Sequence, residues 1–201
     1  MSDDDAVRAV AARLFAELGY DAVSLEMIAD ATGLDVDTVT ARHGAKRDLY
    51  FEIIKRRTQQ RREYLRPVVE AFTPDAEGMI RLYDRYLDYC LEHPELPSLW
   101  MHRAMSDAGD LVDVDRFSGA WLTEMHRLTR PAFPDDVDSE MIRWTVIWSI
   151  HGFVQGGLLG TDGRRHHATD PRTVRRFREH MHHLFRVTAR PAPSPGRPGR
   201  G

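Results

Sequence analysis

Between Gly19 and Tyr50 the chain reads GYDAVSLEMIADATGLDVDTVTARHGAKRDLY, two short amphipathic helices joined by a glycine turn and followed by the opening of a longer helix. Ser24 stands where it caps the second helix, whose Leu25, Ile28 and Ala29 face inward, and Gly33 permits the tight turn after it. Asp35 is placed to cap the third helix, with Val36 and Val39 seating it against the second. Upstream, a helix over about 5–18 repeats Val7, Val10, Ala11, Leu14, Phe15 and Leu18 at three- and four-residue intervals, enough for one buried stripe. Gly19 supplies its stop. The third helix is left with an outward face of Asp37, Thr38, Thr40, Ala41 and Arg42, in the arrangement that enters a DNA major groove.

Charge distribution constrains that reading more than the formal total of -3 does. Residues 67–160 hold 7 Lys and Arg against 16 Asp and Glu, which makes the middle of the chain a poor surface for nucleic acid. In the first third the positive residues come late, at Arg42, Lys46, Arg47 and the run Lys55 to Arg62, so attraction to phosphate depends on local placement. The run KRRTQQRR reads as the solvated face of a connecting helix, with a reach toward DNA flanks as the alternative. Lys46 lies at the start of that helix, where free amides also favour phosphate. Pro67 predicts a kink or a junction near Arg66.

The remainder is helical in pattern, with candidate helices at about 76–92, 95–107, 113–130, 136–158 and 171–188 and a polar loop from Thr161 to Pro171. The glycines of GFVQGGLLG lack the lysine and spacing of a nucleotide loop and instead allow close helix packing and then a helix end. The segment near 136–158 is apolar around most of its circumference, and that near 171–188 sets Val174, Phe177, Met181, Leu184 and Phe185 opposite arginines. These two are the candidate homodimer helices, pairing across a two-fold axis as a four-helix interface, with an internally buried face in a monomer as the alternative. Trp100, Met105, Trp121, Met125, Trp144, Trp148 and His151 are the candidate lining of an apolar pocket for a small molecule, and equally suit plain core.

Several classes lack support. Cys90, the single cysteine, excludes an internal disulfide framework and sits at helical spacing where a small buried side chain is expected. Histidines at 166, 167, 180, 182 and 183 have no cysteine or well-placed carboxylate to complete a metal site, and Asp84, Asp88 and Glu92 have no defined base or electrophile, so neither metal, cofactor nor catalytic residue is expected. The acidic start MSDDDAV has no apolar core of signal-peptide length, and Trp144 to Ile150 is too short to cross a bilayer, so the expectation is a cytoplasmic protein without a membrane partner. The proline- and arginine-rich end beyond 190 is expected to be disordered.

Residues 5 to about 54 resemble the N-terminal domain of the TetR family of transcriptional regulators, on Phe15 and Gly19 before Ser24, then Ile28, Ala29, Gly33, Thr38, Lys46 and Leu49 at the family's offsets. The resemblance implies an all-α dimeric regulator that binds a pseudo-palindromic double-stranded operator and releases it when a small-molecule effector occupies the C-terminal domain. It places Thr38 and Lys46 at positions that commonly touch the DNA backbone. Thr40 stands where the family usually has tyrosine, His43 where it has phenylalanine, Val36 where it has lysine or arginine, and Asp37 where it has a small residue. The expected organisation is a helix-turn-helix head over 1–47, a helical ligand-sensing and dimerisation domain over 48–190, and a tail over 191–201. Two functions remain open: a repressor released by an apolar or amphipathic ligand, or a family member with weak or lost operator binding that acts as a ligand-binding or protein-interaction module.

Overall fold

A computed structural model describes residues 3–192. The end of the tail, 193–201, where disorder is expected, lies outside the described residues. The chain forms α1 (Asp3–Leu18), α2 (Leu25–Thr32), α3 (Val36–His43), α4 (Lys46–Glu70), α5 (Ala76–Glu92), α6 (Glu95–Ala104), α7 (Val112–Thr129), a 3-10 turn (Arg130–Ala132), α8 (Ser139–Gly156) and α9 (Pro171–Thr188). The expected loop from Thr161 to Pro171 is partly ordered, since Leu158–Leu159 pairs antiparallel with Arg165–His166 as a small hairpin. Gly157, at φ 63°, ends α8 and turns the chain into it.

The caps sit where the sequence puts them. Ser24 accepts from the Met27 amide, Asp35 accepts from the Thr38 amide, and Gly33 closes α2 in the left-handed conformation at φ 70°. Pro67 neither breaks nor ends α4, which continues to Glu70. A second departure concerns α1: Leu18 is 47% exposed, while Ala12 and Ala16 are buried beside Val7, Ala11 and Phe15. The reason is α6, which packs along α1 and fixes its C-terminal turn. Ser98 and His102 both hydrogen-bond the Ala16 carbonyl.

Two hydrophobic clusters result. One gathers Val7, Phe15, Tyr20, Ile28, Val39, Tyr50 and Ile54 from α1 to α4, and also takes in Leu99, Ala108, Leu111 and Val114 from α6 and the start of α7. Phe15, Tyr20 and Tyr50 form an aromatic triangle within it, with centroids 4.9 to 5.8 Å apart. The other joins α5, α8 and α9 through Tyr83, Tyr86, Phe153, Phe177, Met181 and Phe185, with Phe153 stacked on Phe177 at 4.1 Å. The apolar stripe of α9 is therefore used inside its own subunit, and the outward residues include Arg175, Arg176, Glu179, His180, His183 and Arg186. Among the described residues no helix is long and apolar enough to cross a membrane.

Candidate DNA-reading helix and interior cavity

The short α3 presents the face its periodicity implies. Asp37, Thr40, Ala41 and Arg42 are exposed, Thr38 is half-buried, and Val39 is fully buried against the head. Most of the groups that would meet phosphate already have partners. The Thr38 hydroxyl donates to the Asp35 cap at 2.8 Å, and the Thr38 amide together with this hydroxyl holds the Asp35 carboxyl below its usual range. Arg42 spans Asp3 and Asp4 of the first turn at 3.4 and 3.3 Å. Arg56 lies 3.5 Å from Asp5, and Arg47 reaches Asp113 at 4.0 Å.

Lys46 is tied inward. Its ammonium donates to the Tyr20 carbonyl at 2.9 Å and the Val23 carbonyl at 2.8 Å, and sits 4.2 Å from the centre of the Tyr20 ring. It thus clamps the loop between α1 and α2, a role that spacing alone does not reveal. His43 is buried, with Nδ1 3.4 Å from Glu52 and Nε2 3.9 Å from Asp4, so it packs the junction of α3 and α4.

In the body, all four tryptophans of the chain, Trp100, Trp121, Trp144 and Trp148, line one cavity of about 310 Å³. His151 lines it too. Met125 belongs to a smaller extension of about 60 Å³ that shares Arg61, Tyr86 and Trp121 with the main space. Met105 does not contribute: it stands 69% exposed just past the end of α6. Burial, and secondarily the nearby Arg61, lower the His151 pKa to about 4, so the ring is neutral near pH 7. Its Nε2 pairs with the Tyr86 hydroxyl at 2.6 Å. Cys90, buried beneath this region, has its thiol pushed up to about 12 by burial and is a packing residue.

One cavity residue does not follow from the expected solvated basic run. Within Lys55 to Arg62, Lys55, Arg56 and Arg62 are exposed, but Arg61 is only 6% exposed and faces the cavity. The signal for it is the continuation of the inward stripe of α4 in steps of four, three and four, from Ile54 through Thr58 and Arg61 to Leu65, all buried. The late histidines do not assemble: His182 bonds Asp84 at 2.8 Å, and among the described residues no group of three or more His, Cys, Asp or Glu gathers as a metal would need.

The cavity and the head share α6. Trp100 and Arg103 of this helix line the cavity, while Ser98 and His102 hold the Ala16 carbonyl of α1. Just beyond the helix, Asp107 accepts from the Tyr20 and Asp21 amides, both at 2.8 Å. That loop is the one Lys46 clamps from the other side.

Residues 7–53 match the family model described as bacterial regulatory proteins, tetR family. No curated protein matches the sequence. Among solved structures, the ketosteroid transcriptional regulator KstR2 of Mycobacterium tuberculosis superposes with a TM-score of 0.72 at 13% identity, over 94% of this chain and 96% of that one. The fatty acid degradation regulator FadR from Bacillus halodurans gives 0.69 at 16% identity, over 92% and 95%. AibR, solved in complex with isovaleryl coenzyme A and operator DNA, gives 0.70 at 15% identity, over 92% and 99%. At these identities the likeness is one of fold. The N-terminal segment 7–53 is thus similar to the tetR family of bacterial regulatory proteins, and the chain as a whole shares the fold of these solved regulators.

Proposed function

We propose that this protein is a DNA-binding repressor whose operator affinity is lowered when a small apolar or amphipathic molecule enters the tryptophan-lined cavity. The observation that carries this reading is the shared use of α6, with Trp100 and Arg103 on the cavity and Ser98 and His102 on the last turn of α1. A ligand that pushes α6 by a fraction of a turn displaces the acceptors and donors that fix the head's first loop, and a packed interface passes on such a shift as a discrete rearrangement. Binding of AibR to both isovaleryl coenzyme A and operator DNA supports the same two-site organisation here.

In this reading 1–47 is the reading unit and 48–190 the sensing and dimerising unit, acting on genomic DNA in the cytoplasm. Asp37, Thr38, Thr40, Ala41 and Arg42 face the groove, and Arg42 exchanges Asp3 and Asp4 for a base edge or a phosphate. Lys46 offers phosphate its one remaining donor while keeping its two carbonyls. The dimer forms through α8 and the outward side of α9, whose main apolar stripe is used internally: Met141 and Trp148 of α8 are 52% and 54% exposed and Val187 of α9 is 65% exposed, large apolar side chains for a lone subunit to leave in water.

A second reading, a ligand-binding module without an operator, draws on one observation: the cations of the head are largely engaged within the chain. Selection from a randomised duplex pool with the full-length protein separates the two. Enrichment of an inverted repeat with fixed half-site spacing is expected, and recovery of unenriched sequence would leave the module reading standing alone.

A further inference from the structure

Resting on the reading that the cavity holds the effector, we propose that its ligand is an aromatic carboxylate and that Arg61 recognises the carboxylate. Arg61 is 6% exposed, lines both the main cavity and its extension, and has no hydrogen bond or ion pair among the described residues. Its Nε is fully shielded and unsatisfied. The nearest aromatic support is Trp121, whose ring centre is 5.5 Å from the guanidinium carbon. A buried guanidinium without a counter-ion is strongly unfavourable unless an anion arrives to share its hydrogen bonds.

No other group in the cavity fills that place. Asp115 is the one carboxylate of the lining, and Arg103 already binds it at 2.8 Å. His151 is neutral and paired with Tyr86. In the extension, Arg143 has Nε and Nη1 buried without partners and only a 3.4 Å contact to Glu140 from its third nitrogen, so the local charge is positive there as well. Trp100 Nε1 and the Ser118 hydroxyl are also buried and unpartnered, two further donors within the same lining. An acceptor-only ligand group satisfies this set, and a planar carboxylate matches the guanidinium fork best.

The body of the ligand follows from the walls. Trp144 and Trp148 lie 5.6 Å apart with planes 31° from parallel, and Trp100 and Trp121 complete an aromatic enclosure. At about 310 Å³ the space sits at the small end of sites for organic ligands, roughly 300–1,000 Å³. One or two fused rings bearing a carboxylate fit that shape and chemistry.

The test compares 2-naphthoate with 2-naphthamide, which keeps the rings and removes the charge, by titration calorimetry on full-length wild type, Arg61→Met and Arg61→Lys. Tryptophan emission, followed alongside at one protein concentration so that the oligomeric state is constant, reports on the cavity because all four tryptophans line it. Wild type is expected to prefer the acid by at least about tenfold, the gain of a charge-assisted hydrogen bond to a buried guanidinium. Arg61→Met loses that preference with amide binding unchanged, and Arg61→Lys keeps part of it. Without ligand, Arg61→Met melts at the same or a higher temperature, since an unpaired buried charge has been removed.

Equal affinity of wild type for acid and amide overturns the proposal while leaving a neutral-ligand cavity intact. A preference undiminished in Arg61→Met overturns the role of Arg61. A lower melting temperature in that variant together with lost amide binding makes Arg61 a structural residue. Failure of both probes to change heat or emission in any of the three proteins removes the cavity reading as well.

Discussion

The reading head and the cavity treat positive charge in opposite ways. On the head Arg42 is 40% exposed at its side chain and paired with two carboxylates, whereas in the cavity Arg61 is buried and paired with none. Exposed ion pairs are worth little because water screens them, so Arg42 leaves Asp3 and Asp4 at small cost when a phosphate competes. A buried unpaired guanidinium is costly, so the cavity is the place where an arriving anion gains most. On the proposed function, the contrast separates a surface suited to weak, salt-dependent exchange from a site suited to selective binding.

The largest predicted effect concerns what holds the head together. If packing rather than charge does so, Phe15→Ala, which removes one corner of the aromatic triangle, lowers stability by about 3–5 kcal/mol in thermal denaturation. A loss below about 1 kcal/mol would shift the weight to the ion pairs around it. The next effect belongs to the cavity side. The unfolded His151 takes up a proton below pH 6.5, but the folded ring does not until about pH 4, so stability falls as pH drops through that window. The slope contributed is at most about 1.4 kcal/mol per pH unit, and His151→Phe flattens it in urea melts recorded from pH 7 to 4. An unchanged slope in that variant would place the acid sensitivity elsewhere.

Lys46 sharpens the comparison within the head. Because it clamps two carbonyls, Lys46→Ala is expected to lower stability by about 1–2 kcal/mol without any DNA, while Arg42→Ala stays within about 0.5 kcal/mol. Equal melting of Lys46→Ala and wild type would free this lysine for a purely DNA-facing role. A further effect is on DNA affinity: Asp3→Asn with Asp4→Asn frees Arg42 and raises affinity by up to about twofold at low salt. That gain shrinks as salt rises, as an electrostatic contribution must.

Much of the head was legible because its signals are local. Ser24 and Gly33 fix where α2 begins and ends and Asp35 fixes where α3 begins, and these caps act over three or four residues. What escaped were contacts set by distant elements. Leu18 looks like part of the α1 stripe, but α6 occupies the adjacent side and takes Ala16 instead. Lys46 and Arg42 look like free cations, because nothing in their own helices shows the Tyr20 carbonyl or the Asp3 carboxylate beside them.

In the body the tryptophans and His151 were legible as bulky residues at helical spacing, but their meeting at one cavity is a product of the fold. Arg61 was the harder case. Polarity assigned it to solvent with its neighbours, while the step from Ile54 through Thr58 to Leu65 assigned it inward. Periodicity was the better guide, since a helix buries a position by its angle even when the residue there is charged. Of the kink or junction that Pro67 predicts, the junction is absent, since α4 runs past it to Glu70.

The central claim is that the cavity and the reading head are coupled through α6, and linkage makes that coupling measurable from either end. The direct measurement is the affinity of 2-naphthoate for the full-length protein, free and saturated with a selected operator duplex, by calorimetry at one salt concentration. The account predicts binding at least about fivefold weaker to the operator-bound protein. Equal affinity for the two states would contradict it, leaving a head and a cavity that share a helix but not a free energy.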